Sequence, residues 1–167
     1  MMASVAGSLP GSARSGSARL GSAPAASKAR LPTTEIAMNN DKAQQLVVEF
    51  NEAIHRQDVD ALAALMTDDH TFIDSANKAV SGKDKVLEAW GKFFRAFPDY
   101  RNTFAHFVSK EGRVTVLGES ICSDSRLQGP AIWTATLRVN KIVEWRVYDD
   151  TLDNRKLLGI EIEAQEA

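Results

Sequence analysis

The 167 residues, 44% hydrophobic and 25% charged, suffice for one domain with a real core and are too few for two comfortable ones. The net charge of −2 gives no basic footprint for general nucleic-acid binding. The lone Cys122 excludes an intrachain disulfide framework, and no apolar run approaches the roughly 20 residues that span a bilayer. His55, His70, His106 and Cys122 show no metal-ligand spacing, so neither a metal site nor another cofactor is expected.

Residues 1–30 carry Arg14, Arg19, Lys28 and Arg30 and no acid, which leaves −6 on the rest of the chain. They are rich in Ser, Ala and Gly and have no apolar periodicity to offset the entropy of ordering. There is no continuous apolar stretch of the secretory kind. Two readings stay open: an Arg- and Ser-rich organellar transit peptide, or an upstream extension with Met38 as the true start. Residues 1–37 are therefore set apart as a disordered leader, and 38–167 as the domain. A cytoplasmic protein is expected, or an organellar one if the leader is a transit peptide.

Asp41, with Gln44 three residues on, opens a helix whose Leu46, Val47, Phe50 and Ile54 share a face. Asp58 caps a second, short helix with Leu62, Leu65 and Met66 as its apolar face, ended by Thr67-Asp68-Asp69. His70 to Asp74 reads as a short strand, and Ser75 to Val80 as a loop. Ser81 and Asp84 form a capping-box pattern before a strongly amphipathic helix bearing Val86, Trp90, Phe93, Phe94 and Phe97, stopped by Pro98. The period then changes. Tyr100–Ser109 and Arg113–Ser123 form a hairpin, as do Ala131–Val139 and Ile142–Asp150, the second turning at Asn140-Lys141. A short helix over 153–158 ends at Gly159. Helices first and strands later give an α+β fold, with three helices over one face of a curved antiparallel sheet.

Three patterns carry a resemblance: Gln57-Asp58-Val59-Asp60-Ala61-Leu62 before Leu65-Met66-Thr67-Asp68-Asp69; Phe97-Pro98-Asp99-Tyr100; and Lys141-Ile142-Val143-Glu144-Trp145 before Tyr148-Asp149. In this order, over about residues 41–159, the chain resembles the nuclear transport factor 2-like superfamily, and within it the SnoaL-like polyketide cyclases. The resemblance implies a cone-shaped sheet and helices enclosing a pocket, and a homodimer. A shared fold does not transfer a reaction.

Strand alternation places Val143, Trp145, Val147 and Asp149 on one face, and His70, Phe72 and Asp74 on another. Asp149 looks like the acid/base aspartate of SnoaL-like cyclases; as a strand-end Asp it also suits capping the next segment. Asp74 falls on the general base of ketosteroid isomerases, which the piece Phe72-Ile73-Asp74 resembles. A carboxylate among Phe and Trp rings suits proton abstraction beside a carbonyl. An Asx-turn into Ser75-Ala76-Asn77 is the structural reading of the same residue. His70 either donates to a substrate carbonyl or exchanges protons with a substrate near neutral pH, or is a surface histidine at a strand start. Trp90, Phe94, Trp133 and Trp145 are shared between an aromatic pocket wall and plain core. The hydrogen-bond donors of the isomerases have no match, because Phe50 stands at one position and the other falls close to Ala135.

The expected function is a cofactor-free acid/base enzyme on a small apolar carbonyl compound, of cyclase, isomerase or dehydratase type. Asp74, Asp149 and His70 are its catalytic candidates, and Phe72, Trp90, Phe94, Trp133, Trp145 and Val147 its substrate-binding ones. The alternative is a non-catalytic small-ligand-binding or dimerisation module on the same fold. No nucleic-acid or membrane partner is expected.

Overall fold

The first amphipathic stripe becomes α1 (Asn40–Arg56), which buries Ala43, Leu46, Val47, Phe50, Asn51, Ala53 and Ile54. A computed structural model describes residues 39–160; the reading of the leader lies outside them. The capping residue is Asn39, not Asp41: the Asn39 side chain accepts from the Asp41 N–H at 2.7 Å. Asp41 instead sits in the first turn, where its charge suits the helix dipole. Gln57, in the left-handed region at φ 58°, ends the helix. Asp58 caps α2 (Val59–Leu65) as expected, accepting from the Ala61 N–H at 3.0 Å.

The next strand, β1 (Met66–Ile73), begins four residues before the expected His70. Thr67-Asp68-Asp69 therefore belongs to the strand and is no helix stop. The reason is pairing: Met66 already lies opposite Ile142. The expected loop at 75–80 holds a short β2 (Ala79–Ser81), hydrogen-bonded back onto β1. This takes Ser81 into the sheet, so Gly82 occupies the N-cap of α3 (Lys83–Ala96) without a side-chain bond. α3 buries Val86, Trp90, Phe93 and Phe94.

The second half is β3 (Arg101–Lys110), β4 (Arg113–Ile121), β5 (Gly129–Arg138) and β6 (Lys141–Asp149), followed by α4 (Leu152–Leu157). The six strands form one sheet in the order β2-β1-β6-β5-β4-β3. The sheet is mixed, not purely antiparallel, because β1 runs parallel to β6. β2, α3 and the strands β3 to β5 separate β1 from β6, and that long connection permits the parallel pairing a tight turn forbids. A bulge between Phe104 and His106 bends β3 against β4. Gly118 sits beside it, where an added Cβ would clash with the Thr103 carbonyl, so no side chain fits.

One core joins the inward faces of α1 and α3 to the sheet. Phe50 packs on Trp145 with ring centroids 4.4 Å apart, and Trp133 on Phe104 at 5.3 Å. A smaller cluster of Ile132, Leu158 and Ile160 covers part of the opposite sheet face.

The last hairpin turns at Val139-Asn140 and not at Asn140-Lys141, with φ of 48° and 64°. Positive φ at both central residues suits the right-handed twist of the strands. A β-branched residue is a poor occupant of that region. Val139 is 81% exposed, so no packing offsets the strain. Val139→Asn is expected to raise stability by about 1 kcal/mol in urea unfolding. An unchanged or lower midpoint would place the turn elsewhere.

Candidate functional site

Alternation along β1 buries His70, Phe72 and Asp74 on its inner face. Asp74 follows the last β1 residue and is only 1% exposed. Its backbone closes a turn, with its N–H donating to the Lys78 carbonyl and its carbonyl accepting from the Asn77 N–H, both at 2.9 Å. Its Oδ1 accepts from the N–H groups of Ala76 and Lys78 at 2.8 and 2.9 Å. Its Oδ2 is buried with no hydrogen-bond partner. The Asx-turn reading and the buried-carboxylate reading thus hold at once, on different oxygens. One oxygen fixes the group and the other keeps its lone pairs free.

His70 is fully buried, not at the surface. Its ring lies 6.1 Å from that of Phe50. Its Nδ1 lies 2.7 Å from the Ile142 carbonyl. A carbonyl only accepts, so Nδ1 carries the proton, and the neutral ring presents an acceptor at Nε2. That nitrogen has no partner. The expected role of donor to a carbonyl therefore does not suit this tautomer. Burial holds the imidazole pKa below the usual histidine value, although the Ile142 carbonyl and the Asp69 carboxylate pull it upward.

A consequence for stability follows. Between the unfolded value near 6.5 and the lower folded value, the unfolded chain binds the extra proton. The His70 contribution is complete above about pH 6.5 and is lost as pH falls through the window below it. His70→Asn removes that titration, while His55 and His106 remain in both proteins. Urea unfolding from pH 7.5 to 5 should show the wild type losing up to about 1.4 kcal/mol per pH unit relative to the variant. Parallel curves throughout would contradict the assignment.

The β1–β6 pairing sets the distances. Thr71 lies opposite Glu144 and Ile73 opposite Arg146, so Asp74 comes level with Val147. Asp149 stands two residues further along β6. His70 stands four residues before Asp74, about 13 Å along the strand. The structure brings Asp74 and Asp149 to one end of the sheet and leaves His70 towards the other.

Asp149 is exposed at its strand end, opposite Ala131. It does not cap α4; Thr151 does, accepting from the Asn154 N–H at 3.1 Å. The Asp149 carbonyl meanwhile accepts from the Asn154 amide at 2.8 Å. With Tyr100, Ser120, Gln128 to Ala131, Val147 and Tyr148, Asp149 lines a cavity of about 30 Å³, room for a water-sized group.

Behind this cavity lies a polar chain that sequence reasoning missed. Tyr100 Oη and Ser120 Oγ are 3.1 Å apart, and Ser120 donates to Asn102 Oδ1 at 3.3 Å. The Asn102 amide donates to Asn51 Oδ1 at 3.2 Å, and the Asn51 amide returns a bond to the Asn102 carbonyl. Burial pushes the Tyr100 pKa up to about 12, so the phenol stays protonated. One sign was available: Asn51 interrupts an otherwise apolar helix stripe. Cys122 is buried against Asp99 at 3.4 Å, and burial pushes its thiol pKa up, as suits an inert cysteine.

The aromatic candidates are all buried. Trp90 lies 5.8 Å from Phe72 and 5.4 Å from Phe94. The Nε1 atoms of Trp90 and Trp133 have no hydrogen-bond partner. Phe50 and Ala135 are buried and supply no donor. Among the described residues no group of three His, Cys, Asp or Glu is placed to hold a metal, and no helix is long and apolar enough to cross a membrane.

The SnoaL-like domain aligns with residues 47–145, more than half of the chain. The chain belongs to the SnoaL-like domain family. That span runs from α1 into β6 and takes in Asp74 but stops before Asp149. A SnoaL-like polyketide cyclase candidate from Jannaschia sp. CCS1 superposes with a TM-score of 0.60 at 17% identity, covering 81% of this chain and 100% of its own. A polyketide cyclase candidate from Sinorhizobium meliloti gives 0.57 at 16%, over 62% and 93%. A SnoaL-like protein of unknown function from Burkholderia thailandensis E264 gives 0.58 at 16%, over 68% and 99%. A search of the curated proteins finds no match. At such identities the likeness establishes the nuclear transport factor 2-like fold alone.

Proposed function

We propose that this SnoaL-like domain is a cofactor-free acid/base enzyme on a small, mostly apolar carbonyl compound, with Asp74 as the proton acceptor. The observation that carries the reading is the split environment of the Asp74 carboxylate. Two backbone N–H groups anchor Oδ1, and Oδ2 is buried, bare and on the inner side of the sheet. A general base needs a fixed position and an unoccupied lone pair, and this arrangement supplies both. Asp149, at the same end of the sheet, is the candidate second acid/base group. Cyclisation, isomerisation and dehydration all begin with this proton removal. His70 is too far along β1 to act on the same proton and is proposed as an acceptor for a substrate hydroxyl.

The test needs no known substrate. Carbonyl and polyketide-like compounds are incubated with the protein in D₂O, and loss of the proton signal beside the carbonyl is followed by NMR. Exchange that depends on Asp74 supports the reading; exchange that Asp74→Asn leaves untouched removes it. A non-catalytic ligand-binding or dimerisation module is the second reading. It draws on Phe50 and Ala135, which offer no donor where the related isomerases carry one. A homodimer is part of both readings, and light scattering at micromolar concentration checks it.

A further inference from the structure

We propose that the indole N–H groups of Trp90 and Trp133 hold the carbonyl oxygen of the substrate, facing the free oxygen of Asp74. This rests on the acid/base reading of Asp74 and supplies the donors that Phe50 and Ala135 do not.

Trp90 is 3% and Trp133 1% exposed, and neither indole nitrogen has an acceptor. An indole nitrogen only donates, whereas an ionised carboxylate only accepts. The inner side of the sheet therefore carries two donors without acceptors, and two acceptors without donors, Asp74 Oδ2 and, further along β1, His70 Nε2. Native proteins rarely leave buried polar groups unmatched, and a catalytic role is one of the reasons for which they do.

Topology brings the three to one neighbourhood. Asp74 comes level with Val147, and Val147 pairs with Trp133 on the adjacent strand. Two strand spacings separate Asp74 from Trp133, about 10 Å between backbones on one sheet face. Trp90 descends from α3 onto Phe72, two residues before Asp74 on the same strand face. A carbonyl compound between them matches these three groups: its oxygen accepts from the indoles, and its neighbouring C–H faces Oδ2. When that C–H bond breaks, the proton passes to Asp74 and the electron pair enters the enolate. The charge on oxygen falls on the two N–H donors. Return of the proton to another carbon completes an isomerisation with no net oxidation. Trp133 stands two residues before Ala135 on the same face of β5.

The chain has three tryptophans, so ¹⁵N-labelled protein gives three indole cross-peaks, assignable with Trp90→Phe, Trp133→Phe and Trp145→Phe. The probes are 1-tetralone, 2-naphthol and naphthalene, one ring size with and without an oxygen. The expected result is a downfield move of the Trp90 and Trp133 indole protons with the first two probes and not with naphthalene. Trp90→Phe or Trp133→Phe should weaken 2-naphthol binding about 10- to 100-fold more than it weakens naphthalene binding. Oxygenated probes that bind without moving these protons overturn the proposal. So does binding of none of the three, a measurement on the wild type that needs no variant to fold. If the indole protons respond but Asp74→Asn exchanges tetralone protons like the wild type, the donors stand and the general-base reading falls. If exchange depends on Asp74 while the indoles stay silent, the reverse holds.

Discussion

Asp74→Asn lowers the rate of proton removal by about 100-fold or more, the scale expected for losing a general base. Asn keeps the size of the side chain and its carbonyl oxygen. The bonds from Ala76 and Lys78 to Oδ1 therefore persist, and the turn that β1 runs into stays closed. What disappears is the lone pair of Oδ2, replaced by an amide that donates. The expected pattern is a large fall in kcat with little change in KM and an unchanged unfolding midpoint. Asp74→Ala provides the contrast, because it also removes the anchor for two N–H groups and should lower stability. Asp149→Asn should lower kcat as well, and the double variant should fall short of additive if both carboxylates serve one proton path. Full activity in Asp74→Asn ends the mechanism, and silence in Asp149→Asn as well moves the balance to the ligand-binding module.

Phe50→Ala should destabilise the domain by about 4 kcal/mol, a large share of the 5–15 kcal/mol typical of a small protein. Phe50 is fully buried, and its ring lies against both Trp145 and His70. Truncation leaves a void between α1 and the sheet that the rigid indole of Trp145 cannot fill. The melting temperature should drop by roughly 15 °C. Phe50→Leu, which keeps most of the volume, should cost far less. Equal losses for the two variants would mean that the ring faces an already open space.

Much of the fold was legible because its signals are local. The stripe of Leu46, Val47, Phe50 and Ile54, the cap at Asp58, and the run from Val86 to Phe97 each depend on residues within one or two turns. The hairpin periods after Tyr100 are local in the same way. The errors fall where a local signal met a tertiary partner. Ser81 carries a capping-box pattern, yet strand pairing with Thr71 claims it. Thr67-Asp68-Asp69 looks like a stop, yet Met66 finds Ile142 across the sheet. The parallel β1–β6 contact joins segments some 70 residues apart, and no window of sequence contains it.

The candidate site divides along the same line. Sequence by itself determined that His70, Phe72 and Asp74 share a face, since alternation with period two needs no tertiary knowledge. It also determined that Asp74 is suited to a turn and to a base, without choosing between them. Only the tertiary structure decided that the turn and a buried, unpartnered oxygen coexist, because they fall on two oxygens of one carboxylate. Only packing separated His70 from Asp149, and only packing left the indoles of Trp90 and Trp133 without acceptors. Whether a polar atom finds a partner depends on every element that closes around it, and that is settled when the helices meet the sheet.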